Sequence, residues 1–261
     1  MRGIRTLKIL SEALSSIELP TLRRPAVKPE EPKTKELVSW GICMFAYSLV
    51  AHTQKILAGL MVLAESGNVA ATAPVGRHVF EWTAFSCYFT RKLKPLFGQQ
   101  NWIEAWVLLT KVALGSGWAG KYGSKYAGVP PVKPPFEVPT PVRVGKAVEE
   151  YEQFQVEHAR DAEATDSYSL LSDNAHPNAA CLMRYQSWEE KGTVTRFIDP
   201  DQDPQQESFL PFVNCCLIDL LSFIYELLGL ADESTVQPKI KAILDELTRM
   251  APRRLTVSIP A

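Results

Sequence analysis

Two short stretches hold the side chains best suited to chemistry. In residues 75–89, V-G-R-H-V-F-E-W-T-A-F-S-C-Y-F, Arg77 and Glu81 stand four apart. Arg77, Glu81 and Tyr88 fall within about 40° of one another on a helix turning roughly 100° per residue, and His78 borders that stripe. A guanidinium offers a planar fork that grips phosphate or carboxylate in two places. Glu81 would then orient the bound anion or a nearby histidine. The second stretch is Tyr168-Ser169-Leu170-Leu171-Ser172-Asp173-Asn174-Ala175-His176-Pro177. His176 has the ordinary imidazole's capacity to serve as a general base near neutral pH, and Ser172 lies one helical turn before it. Arg77, Glu81, Ser172 and His176 are therefore the candidate catalytic residues.

Each of these has a plainer account. Arg77 and Glu81 at i, i+4 form a salt bridge in many helices without any catalytic role, and a histidine ahead of proline caps or packs a helix end. No G-x-S-x-G elbow accompanies Ser172. Metal binding has some arithmetic in its favour: His78-x-x-Glu81, His158-x-x-Asp161 and Asp173-x-x-His176 each put two ligands on one helix face, and Asp219 and Glu226 add carboxylates. A carboxylate-bridged bundle site needs Glu-x-x-His, which does not occur, so no metal is expected. The chain contains no P-loop and no dinucleotide fingerprint, and no cofactor is expected. Helical ribonucleases of the toxin type place a histidine four to six residues after an arginine. No arginine here stands in that relation to His52, His78, His158 or His176.

The elements that would position these residues are helical. Residues 33–65 form a long apolar helix, broken at Ser66-Gly67-Asn68, with Gly67 suited to a left-handed cap and Asn68 to capping the next helix. Residues 69–89 then pack back on 37–63, with Pro74 kinking that helix or starting its main portion, and Lys92-Leu93-Lys94-Pro95 closes it. A third helix spans 99–114, its inward face Trp102, Ala105 or Trp106, Leu109 and Ala113. Residues 115–141 are a long Gly/Pro-rich loop or lid. Within it Lys121, Tyr122, Lys125 and Tyr126 are the candidate nucleic-acid contacts, through charge and base stacking. Helix resumes near Val144, with Val148, Tyr151, Phe154 or Gln155 and His158 at helical spacing, and continues, with or without a break near 164–166, into 168–175. Residues 178–190 read as a short helix and 193–198 as extended. A second buried helix spans 209–230. The last helix, 238–250, is capped by Ser234 or Thr235 and turns Ile240, Ile243 or Leu244, and Leu247 inward. The expected centre is 75–89 against 37–63 and 209–228.

At the N-terminus, residues 3–19 form an amphipathic helix with Ile4, Leu7, Leu10 or Ser11, Leu14 and Ile17 on one side, read as a docking arm. The proline-rich segment 20–32 links it onward. The division is thus 1–35, arm and linker, and 36–261, a single all-α bundle of six to eight helices.

The chain has 261 residues, 46% hydrophobic and 22% charged, with a formal net charge of −1. That composition is ordinary for a globular protein and argues against a general polyanion binder. The run 37–51 falls short of a membrane span, and 209–231 carries Asp219 and Glu226, so no span is expected. Cys43, Cys87, Cys181, Cys215 and Cys216 include no C-x-x-C spacing. Buried free thiols in a reducing cytoplasm account for them.

The segment Ala58-Gly59-Leu60-Met61 through Gly67, then Arg77-x-x-x-Glu81, then Tyr168-x-x-Leu171-Ser172-x-x-x-His176-Pro177 resembles a broad group of uncharacterised bacterial and mobile-element helical proteins. In that group an R-x-x-x-E helix follows an apolar helix ending in Gly, and an L-S-x-x-x-H-P segment comes later. The resemblance spans roughly 37–178 and implies an all-helical fold, with attention on Arg77, Glu81, Ser172 and His176. It carries no activity. The expectation is a cytoplasmic interaction or structural module that self-associates or binds a protein partner, around a buried Arg/Glu/His cluster. The alternative is a hydrolase or nuclease-like effector of the toxin or defence type, using that cluster beneath a lid at 118–126.

Overall fold

The computed structural model describes residues 2–23, 25, 34–67, 69–113, 142–158, 168–169, 171–172, 186–188, 194–197 and 206–250. Seven helices run through them: α1 (Arg2–Ser15), α2 (Lys35–Glu65), α3 (Val69–Gly98), α4 (Trp102–Ala113), α5 (Val144–Glu157), α6 (Gln206–Leu230) and α7 (Gln237–Met250). Strands β1 (Gln186–Trp188) and β2 (Val194–Phe197) form a short antiparallel pair between α5 and α6. The fold is an all-α bundle. The extended backbone expected at 193–198 is β2, whereas 186–188, expected within a short helix, is β1.

Helix α3 is the axis. It packs most extensively on α6, then on α5 and α4, and shares a smaller seam with α2. Its buried residues Val79, Phe80, Ala84, Cys87, Phe89 and Leu93 cover much of its circumference, as an element enclosed by several neighbours requires. Proline at 95 does not close the helix; both Pro74 and Pro95 lie inside it. A proline removes one backbone hydrogen bond, but Leu96 and Phe97 pack on the core beyond it and hold the final turn. That turn ends at Gln100, with φ 54°. Asn101 then caps α4, its side-chain oxygen accepting from the Glu104 amide at 3.2 Å, so α4 starts at Trp102 rather than at 99.

Helix α2 begins at an N-cap, where Thr34 Oγ1 accepts from the Leu37 amide at 3.3 Å, and it ends ahead of Gly67 at φ 71°. Gly41 is where α4 crosses it: a Cβ there would lie 2.1 Å from Leu109 Cδ2 and 3.2 Å from Trp106 Cζ3. Helix α1 lays Leu7, Leu10 and Leu14 into the common core, with Ile17 just beyond its end. Gln54 of α2 donates from Nε2 to the carbonyls of Leu14 (2.7 Å) and Ile17 (3.1 Å), satisfying acceptors that a helix C-terminus leaves open.

Helix α7 turns Ile240, Ile243, Leu244 and Leu247 inward. Its cap is neither Ser234 nor Thr235. The Glu233 carboxylate accepts from the amides of Thr235, Val236 and Gln237 at 2.7, 2.8 and 2.9 Å. Burial raises its pKa, but these amide bonds outweigh burial and hold it below the usual carboxylate value.

Among the described residues, two helices are long and apolar enough to cross a membrane. One is α6, over Leu210–Leu230, with 61% of its most apolar window buried in the bundle. The other is α2: the run at 37–51 is short, but the helix continues to Glu65 and its most apolar 18-residue window has a mean hydropathy of 1.2. Only 39% of that window is buried.

Candidate functional site

Along α3, Arg77 and Glu81 face the same way, and Arg77 Nε donates to Glu81 Oε1 at 2.9 Å. Tyr168 and Leu171 come back against this face: Leu171 lies beside Gly76, and the Tyr168 hydroxyl reaches both charges. It accepts from Arg77 Nη2 at 3.2 Å and donates to Glu81 Oε1 at 3.4 Å. The guanidinium carbon also sits 5.4 Å from the centre of the Tyr168 ring, in cation–π contact. Burial opposes the charge on Arg77, yet Glu81 and Tyr168 together keep its pKa above the ordinary arginine value. The two side chains are 23% and 24% exposed, intermediate between a solvated pair and an enclosed one.

Tyr168, from the second stretch, thus meets Arg77 and Glu81, while Tyr88 does not join them. Tyr88 lies further along α3, its ring 5.8 Å from both the Lys92 and Lys146 ammonium nitrogens. Ser172 is one turn beyond Tyr168, and its Oγ is enclosed without a hydrogen-bond partner among the described residues. His176, and Lys121, Tyr122, Lys125 and Tyr126 of the lid, lie outside the described residues.

His78 serves a different partner set. Its Nε2 lies 2.7 Å from Nε2 of His52 on α2 and 2.9 Å from the indole nitrogen of Trp82, one turn along α3. The three rings meet edge to face. Neither His52 nor Trp82 stood out in the sequence, because only the α2–α3 crossing brings them together.

At the other end of α3 a cleft of about 380 Å³ lies among Arg91, Lys94, Glu150, Phe154, Phe223 and Glu226. Its charges are already matched. Arg91 donates to Glu150 at 2.7 Å and to Glu157 at 2.9 Å, Lys92 binds Glu150 at 2.7 Å, and Lys94 binds Glu226 at 2.6 Å. Burial raises the Glu150 pKa, but Lys92 and Arg91 prevail and lower it. Two carboxylates of α6, Asp219 and Glu226, are thus committed one by one. Glu226 holds Lys94, and Asp219, only 3% exposed, accepts from the Tyr151 hydroxyl at 2.6 Å. No three His, Cys, Asp or Glu side chains among the described residues form a set able to hold a metal ion. Cys43, Cys87 and Cys216 are buried free thiols, whereas Cys215 is exposed. Burial pushes the Cys43 pKa up to about 11, with Glu233 adding to it.

Comparison of the chain with protein-family models, curated proteins and solved structures finds no match.

Proposed function

We propose that this chain is a non-enzymatic helical interaction module of the cytoplasm, whose α2 face is covered by a second copy or another protein. The observation that carries this reading is the mismatch on α2. Its apolar window is long enough to span a bilayer, yet only 39% of it is buried, and Met44 and Val62 are 42% and 65% exposed. Apolar surface of this kind gains about 25 cal/mol per Å² when a partner removes it from water. The Arg77–Glu81–Tyr168 cluster supports the same reading. The guanidinium is hydrogen-bonded to Glu81 and to the Tyr168 hydroxyl and lies over the Tyr168 ring, so the cluster acts as a clamp holding Tyr168 to α3.

Sedimentation velocity tests the interface. The chain is expected to self-associate with rising concentration, and Met44→Glu to shift it to monomer with unchanged helicity. A chain that stays monomeric, and whose Met44→Glu variant behaves identically, would overturn self-association.

One observation favours the effector reading. Ser172 Oγ is enclosed and unpartnered among the described residues, on the segment that meets Arg77 and Glu81. Glu81→Gln separates the two. As a clamp the pair contributes about 1–2 kcal/mol, between the values for exposed and enclosed salt bridges. The variant is expected to melt a few degrees lower and to retain any cellular effect in proportion to the folded protein present. Loss of that effect at an unchanged melting temperature would favour the effector.

A further inference from the structure

We propose that His52, His78 and Trp82 form an acid-released latch between α2 and α3. The protonation pattern is dictated by the contacts. An indole N–H can only donate, so His78 Nε2, 2.9 Å from it, must carry a lone pair. His52 Nε2, at 2.7 Å from the same atom, must then supply the second hydrogen. Neutral His78 therefore keeps its own proton on Nδ1. The imidazole centres are 4.9 Å apart, close to what an end-on N–H···N contact between two such rings produces.

A first proton does not break the seam. Whichever imidazole is charged, its neutral partner can carry its own hydrogen on Nδ1 and accept through Nε2, so one N–H···N bond remains. When both rings are charged, Nε2–H faces Nε2–H, and the bond across the seam and the bond from Trp82 are both lost. Burial is the first influence opposing charge on His78, and His52 is the second. Glu81, one turn along α3, pulls the other way; these are the described ionisable groups that act on His78, from α2 and from α3 itself. The net effect lowers its pKa below the ordinary 6.5. A base with a depressed folded-state pKa contributes stability that is fully present above 6.5 and is lost as pH falls through the depressed value. The latch is therefore closed at neutral pH and opens in acid. Because α1, α4 and α6 also hold α2, the loosening is local to the α2–α3 crossing.

Nitrogen-15 NMR of the intact chain tests the latch. At pH 8 His78 is expected as the Nδ1-protonated tautomer, with the Trp82 indole N–H shifted by its bond to nitrogen. As the pH falls below 6.5 the His78 signals and the Trp82 indole signal are expected to move together, while amides around the α2–α3 crossing lose exchange protection. His78→Gln, which cannot titrate but can still accept, is expected to abolish that loss. His52→Gln, which can accept from a charged His78, is expected to abolish it as well. A proton on His78 Nε2 at pH 8, or an indole signal indifferent to His78 titration, would overturn the latch, even if one of the variants fails to fold.

Discussion

Replacing Phe80 by alanine is expected to lower stability by about 3–5 kcal/mol, the usual cost of deleting an enclosed aromatic ring. Phe80 is fully buried and joins four parts of the fold. It belongs to α3, meets the ring of Tyr151 on α5 edge-on at 5.8 Å, and stacks on Tyr168 at 5.7 Å and on Phe212 of α6 at 5.9 Å. No neighbouring side chain can fill that volume without abandoning one of the other contacts, so the cavity persists and its lining loses dispersion contacts. Since whole domains are stable by only about 5–15 kcal/mol, this one change removes a large share, and the melting temperature should fall by roughly 10 °C. Urea unfolding followed by circular dichroism measures it. Phe80→Leu should recover part of the loss. A Phe80→Ala effect below about 1 kcal/mol would mean that the rings do not bear on one another.

The same ring explains how the polar clamp is built. Tyr168 uses its face against Phe80 and its hydroxyl against Arg77 and Glu81, so packing fixes the position of the hydrogen bonds. Phe80→Ala should therefore loosen Tyr168 and Leu171 locally as well as the core globally. Faster exchange of the Tyr168 and Leu171 amides, ahead of global unfolding, is the expected sign.

How much of this was legible in the residues depends on range. Helix periodicity gave the inward faces of α1 and α7, because those faces are set within each helix: Leu7, Leu10 and Leu14 recur every three or four residues, and so do Ile240, Ile243 and Leu247. The Arg77–Glu81 pair was legible for the same reason, being four residues apart on one helix. The partners of these groups were not, because crossing geometry decides them. His52 and His78 are 26 residues apart and meet only where α2 crosses α3. Local rules also failed where packing overrode them. Proline at 95 signals a helix end, yet the burial of Leu93 and the packing of Leu96 and Phe97 carry α3 through it. Ser234 and Thr235 are good capping types, but the longer Glu233 side chain folds back to bind three amides at once, and a carboxylate at a helix N-terminus also gains from the helix dipole.

Asp219 is the instructive case among charged residues, since its place on an apolar helix could mean a ligand, a membrane defect or a tie. The structure shows a tie, a 2.6 Å hydrogen bond from Tyr151, itself 1% exposed. Tyr151→Phe should cost about 1.5–3 kcal/mol, the range for a hydrogen bond to a charged group, because the ring stays packed and only the hydroxyl is removed. Asp219→Asn should cost a comparable amount by weakening the same bond while keeping the volume. The two losses should not add. In the double variant, the shared bond can be lost only once, so a coupling of about 0.5–3 kcal/mol is expected from urea unfolding of all four proteins. Strict additivity would show that the two groups act through separate neighbours. A thiol readout accompanies this: burial first, then the Asp219 charge, raises the pKa of Cys216, so Asp219→Asn removes the second influence and leaves the first. Cys216 should therefore stay slow toward alkylating reagents while exposed Cys215 reacts, and rapid labelling of both would mean that the variant has opened the α3–α5–α6 core rather than cut one bond.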